Sequence, residues 1–137
     1  MKNRNLFLGL LIMFILSACA AGTMTFIPRS GGQALKANYE NSRGRKTINI
    51  VLPGGETFQG NLIWIPPGGH ISTTIVSTGQ TSAVASGMSS GDTGIYLGSI
   101  VGDRGTTMRI ELLCNVWTAR CVGAGQTNEG FIYDIQQ

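Results

Sequence analysis

The feature that most constrains the fold is an alternation of apolar and mostly polar residues in the second half of the chain. Between positions 108 and 116 the apolar members of the alternation are Met108, Ile110, Leu112, Cys114 and Val116. Alternate residues of a strand lie on one face, whereas a helix needs a period near 3.6. The segment is therefore predicted to be a half-buried β-strand.

The same period recurs along most of the chain after Thr47, interrupted by turn signals. The expected faces are Ile48, Ile50 and Leu52; Phe58, Gly60, Leu62 and Trp64; Ile95, Leu97, Ser99 and Val101; and Phe131, Tyr133 and Ile135. Glycine, proline, asparagine and aspartate separate them at 53–55, 66–69, 102–105 and 128–130. This spacing, of roughly ten residues, indicates an all-β fold of about six to eight antiparallel strands, a small sandwich or barrel. No helix is predicted after position 18.

The first eighteen residues have the features of a signal peptide. Lys2 and Arg4 precede an apolar run over 6–16 that is too short to span a bilayer. Leu16-Ser17-Ala18-Cys19 then resembles the lipobox of bacterial lipoproteins. The resemblance implies that Cys19 receives a diacylglycerol, that cleavage precedes it, and that the new amine is acylated. The alternative is an ordinary signal peptide that contains a cysteine. Ala20, in place of Asp, resembles the pattern of lipoproteins exported to the outer membrane.

Three regions are expected: a helical signal peptide (1–18), the lipidated Cys19 with a flexible tether (19–46), and the β domain (47–137). The tether is expected because residues 20–46 lack a sustained hydrophobic period, although 23–27 could form one short strand. The basic residues of the stretch 33–46, set against Glu40 alone, suit a solvated linker or a contact with anionic lipid or an envelope polymer: Lys36, Arg43, Arg45 and Lys46. Without the signal, eight basic residues face seven acidic ones, so nucleic-acid binding gains no support.

Cys114 and Cys121 are symmetric about Trp117-Thr118, so a hairpin turn there would place them opposite each other. An exported chain meets an oxidising compartment, which favours a disulfide over two free thiols. A redox pair or a metal site are the alternatives. A metal would need further ligands, and His70 is the only histidine. Neither a metal nor another cofactor is therefore predicted.

No catalytic set emerges from the sequence. A Ser-His-Asp arrangement would have to recruit His70, which is the only histidine. The glycine-rich segments 87–94 and 123–125 do not follow a strand-to-helix transition, so a phosphate-binding loop is not expected. A non-enzyme is predicted. Trp117 at the hairpin tip, with Arg120, is the candidate contact for a partner, whereas Trp64 is expected to be buried.

The segments 55–60, 102–108 and 130–135, with the two cysteine-bearing strands, resemble small proteobacterial lipoproteins of unassigned function. Cys121 departs from that pattern because it precedes Gly123 and Gly125 instead of following a Gly-x-Gly. The resemblance implies an envelope location and a β fold. The leading hypothesis is a non-enzymatic binding or scaffold module that contacts another envelope protein or polymer. The alternatives are a lysozyme inhibitor that inserts the loop 89–92, and a hydrolase that uses His70.

Overall fold

A computed structural model of the protein describes residues 20–74, 84–88 and 91–137, with the backbone alone for 70–74 and 84–88. These residues form ten β-strands: β1 (Ala20–Pro28), β2 (Leu35–Ser42), β3 (Arg45–Val51), β4 (Thr57–Ile65), β5 (His70–Thr74), β6 (Val84–Met88), β7 (Thr93–Gly102), β8 (Thr107–Asn115), β9 (Cys121–Thr127) and β10 (Ile132–Gln136). The described residues contain no helix, so none that could cross a membrane. The predicted all-β fold is confirmed.

Eight of the strands close into an antiparallel barrel. Their order is β1-β10-β9-β8-β7-β4-β3-β2, and pairing of β2 with β1 completes the ring. Strands β5 and β6 form a separate two-stranded sheet in the connection between β4 and β7. Of the two predicted architectures, the protein adopts the barrel. Closure leaves the eight barrel strands with no unpaired edge, which protects a small β domain from edge-to-edge association.

The barrel interior is a packed apolar core. Along β8 the side chains of Met108, Ile110 and Leu112 are fully buried while their neighbours in sequence are exposed. Each such side chain contributes roughly 1.5–3 kcal/mol through burial. The predicted alternation is confirmed within the strand, and it ends where the chain turns. Val116 is exposed after β8, and Phe131 is exposed before β10.

In strand β7 the apolar residues that alternate in the sequence lie mainly on the outer face of the barrel. Leu97, Ser99 and Val101 share a face as predicted, and that face points outward, whereas Ile95, the first residue of the predicted face, is buried. The inner face carries Gly94, Tyr96, Gly98, Ile100 and Gly102. Glycine has no side chain to mark a buried position, so the alternation of the outer residues dominates the sequence. Gly98 is required because a Cβ there would lie 2.4 Å from the carbonyl oxygen of Asn61.

The predicted tether over 20–46 is wrong, because these residues form two complete strands and the start of a third. β1 pairs with both β10 and β2, and its inward side chains Met24 and Phe26 belong to the core. The polar residues that suggested a linker lie mostly on the outer face, where β-strands of a barrel tolerate them. The β domain thus begins at Ala20 and not at residue 47. Lys46, assigned to the solvated cluster, is 1% exposed.

The strand directions define two ends of the barrel. The "lysine end" carries Ala20, the turn at 43–44, the end of β4, the start of β7, the hairpin 116–120 and Gln137. The "loop end" carries the connections 29–34, 52–56, 103–106 and 128–131. Cys19 lies outside the described residues, but the chain leaves the barrel toward it at the lysine end.

Candidate functional site at the lysine end

The centre of the site is Lys46, whose side chain points into the barrel near its end. Its Nζ lies 4.4 Å from the ring centre of Tyr39 on β2 and 4.6 Å from that of Tyr96 on β7. A cation over an aromatic face is stabilised by about 0.5–2 kcal/mol, with the larger values at desolvated sites. The ammonium group is therefore held between two aromatic rings.

No carboxylate balances this charge. All seven Asp and Glu residues belong to the described part of the chain, where the one ion pair joins Arg29 to Asp134. Burial lowers the pKa of Lys46 from 10.5 to about 8, because desolvation penalises the charged form. The site thus holds a buried positive charge whose contacts with Tyr39, Tyr96 and Gln137, among the described residues, are all with neutral groups.

Gln137 is one of those neutral groups. Its Oε1 accepts a hydrogen bond from Lys46 Nζ, and its Nε2 donates to the Tyr39 hydroxyl at 2.9 Å. The backbone N–H of Gln137 donates to the carbonyl of Cys121 at 2.9 Å, which fixes the residue beside β9. The planar amide therefore spans the gap between the lysine and the tyrosine.

A cavity of about 270 Å³ adjoins these groups. Trp64 and Tyr96 form its aromatic wall, with ring centres 4.8 Å apart and planes inclined at 48°. Gly94 makes room for the indole, since a Cβ at that position would lie 2.1 Å from a ring carbon of Trp64. Asn41 also lines the cavity, and its Oδ1 is buried without a hydrogen-bond partner.

The cysteines are joined as predicted. Cys114 and Cys121 are register partners on β8 and β9 and form a disulfide that lines the cavity. The connection between β8 and β9 is the five-residue stretch 116–120, which is longer than the predicted two-residue turn. Asn115 Oδ1 accepts hydrogen bonds from the backbone N–H groups of Trp117 and Thr118, at 2.9 and 3.0 Å. The hairpin is thus held by both a covalent and a polar link.

The predicted contact residues Trp117 and Arg120 both lie on this hairpin and are exposed. Trp117 has 79% of its surface accessible, the largest fraction among the exposed large apolar residues of the described chain. Val116, beside it, is 43% exposed. On the barrel wall below, Leu113 and Val122 are register partners that both face solvent. The lysine end therefore presents an apolar surface next to the cavity.

Several other predictions fall outside the described residues. Cys19 does so, as do Ser89 and Ser90 of the loop proposed for an inhibitor; that hypothesis stays a prediction. His70 is the first residue of β5, and only its backbone is described. Among the described residues, no three of His, Cys, Asp and Glu are grouped so that they could hold a metal ion.

A larger cavity, of about 370 Å³, lies at the loop end, but two of its charged residues, Glu56 and Arg104, already serve the turns. Glu56 Oε1 accepts hydrogen bonds from the backbone N–H groups of Arg104 and Thr106, both at 3.2 Å. Arg104 in turn donates to the carbonyl of Gly54 at 2.9 Å. Because these groups satisfy one another, volume alone does not make this cavity the better candidate.

Sequence reasoning missed the residues around the ammonium: Tyr39, Asn41, Lys46, Tyr96 and Gln137. One signal was available, since Lys46 stands two residues before Ile48 and four before Ile50 and therefore shares their inward face. Because Arg43 and Arg45 are also basic, Lys46 was grouped with them in a solvated cluster. The contribution of Gln137 depends on barrel closure and has no local signature.

Comparison with protein-family models, with curated proteins and with solved structures found no match to this chain. Its candidate function therefore follows from its own residues.

Proposed function

We propose that this protein is a membrane-anchored, non-enzymatic binding module of the bacterial cell envelope. Lipid on Cys19 would hold it at the outer membrane, and Trp117 and Arg120 would contact another envelope component. The observation that carries this proposal is the 79% exposure of Trp117 on a disulfide-linked hairpin at the end of the barrel where β1 begins.

The position of β1 limits where the partner lies. Ala20, the first residue of β1, directly follows Cys19, and consecutive Cα atoms are about 3.8 Å apart. A lipid anchor on Cys19 would leave no linker between the membrane and the barrel. The lysine end would then stand at the lipid surface, and its partner would be a component located at that surface.

The chemistry of the hairpin suits a protein or polymer contact. Tryptophan and arginine are the residues most often responsible for the affinity of protein interfaces, because each combines a large contact area with directional polar groups. Val116 adds apolar area next to Trp117. The disulfide restricts the hairpin before binding, which reduces the entropy lost on association.

Crosslinking in native membranes, followed by mass spectrometry, tests this proposal. We expect a reproducible envelope partner for the lipidated protein, and its loss in the Trp117→Ala/Arg120→Ala variant. Phe131→Ala is the matched control, because Phe131 is an exposed aromatic residue at the loop end with 52% of its surface accessible. Cys19→Ala should release the protein from the membrane and abolish the crosslink.

Two results would contradict the proposal. An unchanged crosslinking pattern in the Trp117→Ala/Arg120→Ala variant would exclude the hairpin as the contact. Membrane retention of Cys19→Ala, with mass spectrometry finding no acyl chains on the wild-type cysteine, would remove the lipid anchor.

A further inference from the structure

The cavity at the lysine end has the properties of an anion site that the chain itself leaves incomplete. Lys46 is 1% exposed and pairs with none of the seven carboxylates. Lysine is almost never fully buried unless it is paired, because its charge loses the hydration of water. The two aromatic rings and one amide compensate this loss only in part.

The Gln137 amide occupies the place where a carboxylate would fit best. An amide and a carboxylate are both planar with two polar atoms, and here those atoms meet an ammonium group and a phenolic hydroxyl. A carboxylate would accept hydrogen bonds from Lys46 Nζ and from the Tyr39 hydroxyl. Hydrogen bonds to an ionised acceptor are about twice as strong as those between neutral groups.

The rest of the cavity indicates the body of the ligand. Trp64 and Tyr96 offer an aromatic wall, and the disulfide with Val116 and Ala119 adds apolar surface. Asn41 Oδ1 lacks a donor, so a hydroxyl or N–H on the ligand would satisfy it. The volume of about 270 Å³ lies just below the range of roughly 300–1,000 Å³ for drug-sized sites, which limits the ligand to a small molecule.

We infer that this cavity binds a small organic acid, whose carboxylate takes the place of the Gln137 amide between Lys46 and Tyr39 while its apolar body packs against Trp64. The inference goes beyond the proposed function and does not depend on the lipid anchor or on the Trp117 contact. A soluble or a membrane-derived acid would share the same recognition chemistry.

Isothermal titration of the purified full-length protein with benzoate tests the inference, with benzamide as the neutral probe of the same shape. We expect benzoate to bind with millimolar or better affinity and benzamide at least about tenfold more weakly. Lys46→Met should abolish the preference for benzoate. Gln137→Ala should strengthen benzoate binding, because it removes the internal competitor.

Lys36→Met is the matched control. Lys36 is an exposed lysine on β2 that donates to Thr25 Oγ1 at 2.7 Å, away from the cavity. Lys36→Met removes one positive charge, as Lys46→Met does, and it should leave benzoate binding unchanged. Near-ultraviolet circular dichroism verifies that each variant keeps its tertiary structure.

Benzoate affinity should also fall as the pH rises above about 8, where Lys46 loses its proton. The titratable groups facing Lys46 among the described residues are Tyr39 and Tyr96, and burial raises the pKa of Tyr96. The Cys121 sulfur, 3.9 Å from Nζ, is held in the disulfide and does not titrate. Lysine deprotonation is therefore the change expected between pH 7 and pH 9.

The inference fails if wild-type protein and Gln137→Ala both show no heat of binding with about 10 mM benzoate. It also fails if Lys46→Met, correctly folded, binds benzoate as the wild type does, or if benzamide binds equally well. The crosslinking result is independent of these outcomes, so the two proposals can fail separately.

Discussion

The two ends of the barrel use their polar side chains in opposite ways. At the loop end the carboxylates and amides complete turns: Asp103 accepts a hydrogen bond from the backbone N–H of Thr57, and Asn128 accepts one from that of Thr107. Among the described residues of the lysine end, the ammonium of Lys46 has no Asp or Glu partner and Asn41 Oδ1 has no donor. The fold supplies hydrogen-bond partners for these groups at the first end, and none for Asn41 Oδ1 at the second.

We use this difference to distinguish polar groups that stabilise the fold from polar groups that would serve a function. Buried polar groups that exist to stabilise a fold nearly always find partners within it, so an unsatisfied one requires another explanation. Real proteins depart from locally optimal choices mainly at functional sites. The size of the cavities gives the opposite ranking, about 370 Å³ at the loop end against 270 Å³ at the lysine end. We therefore choose the candidate site in this barrel by whether its buried polar groups have partners, and not by cavity volume.

The largest expected effect comes from removing the unpaired charge. Lys46→Met should stabilise the barrel by about 1 to 3 kcal/mol at pH 7, because burial lowers the pKa of Lys46 to about 8 and the charged form is therefore disfavoured in the folded state. Methionine has a similar length and no charge. Urea unfolding followed by circular dichroism measures the change. A destabilised variant would mean that the two rings and Gln137 already compensate the charge.

The disulfide is the main covalent support of the lysine end. Cys114→Ala/Cys121→Ala should lower the free energy of unfolding by about 2.5 kcal/mol, as expected for closing a loop across a sequence separation of 7. Reduction of the wild type by dithiothreitol should give a loss of similar size. An unchanged unfolding midpoint in both experiments would show that hydrogen bonds across β8 and β9 suffice to hold the hairpin.

Stability should rise with pH above the pKa of the buried lysine. The folded state releases its proton near pH 8 while the unfolded lysine keeps its own until about 10.5, so the unfolded state binds more protons in between. The free energy of unfolding should therefore increase by about 1 to 2 kcal/mol from pH 8 to pH 9.5. Below about pH 7 this dependence should vanish, because the lysine is then protonated in both states. Lys46→Met should show no such rise, and an equal rise in that variant would assign it to another group.

The difference between local and long-range contacts explains which features could be predicted from the sequence. The strands β4, β8 and β10 alternate apolar residues with polar ones, so their positions follow from period two alone. β2 was missed, and only a short strand over 23–27 was considered for β1, because few apolar residues mark their inner face, with Met24, Phe26 and Ala37 fully buried. The cysteine pair and the exposed Trp117 needed only a local hairpin. The lysine cavity needed contacts between β2, β3, β7 and Gln137, which only barrel closure brings together.

The smallest expected change in stability comes from a residue at the loop end, and it tests whether the two ends act independently. Glu56→Ala should lower the free energy of unfolding by about 1 kcal/mol, because the backbone N–H groups of Arg104 and Thr106 lose their acceptor but regain water. Benzoate binding and crosslinking should not change. Lys46→Met should do the reverse, raising stability while abolishing benzoate binding. If Glu56→Ala weakened benzoate binding as well, the two ends would be coupled through the barrel, and the lysine end could not be treated as a separate site.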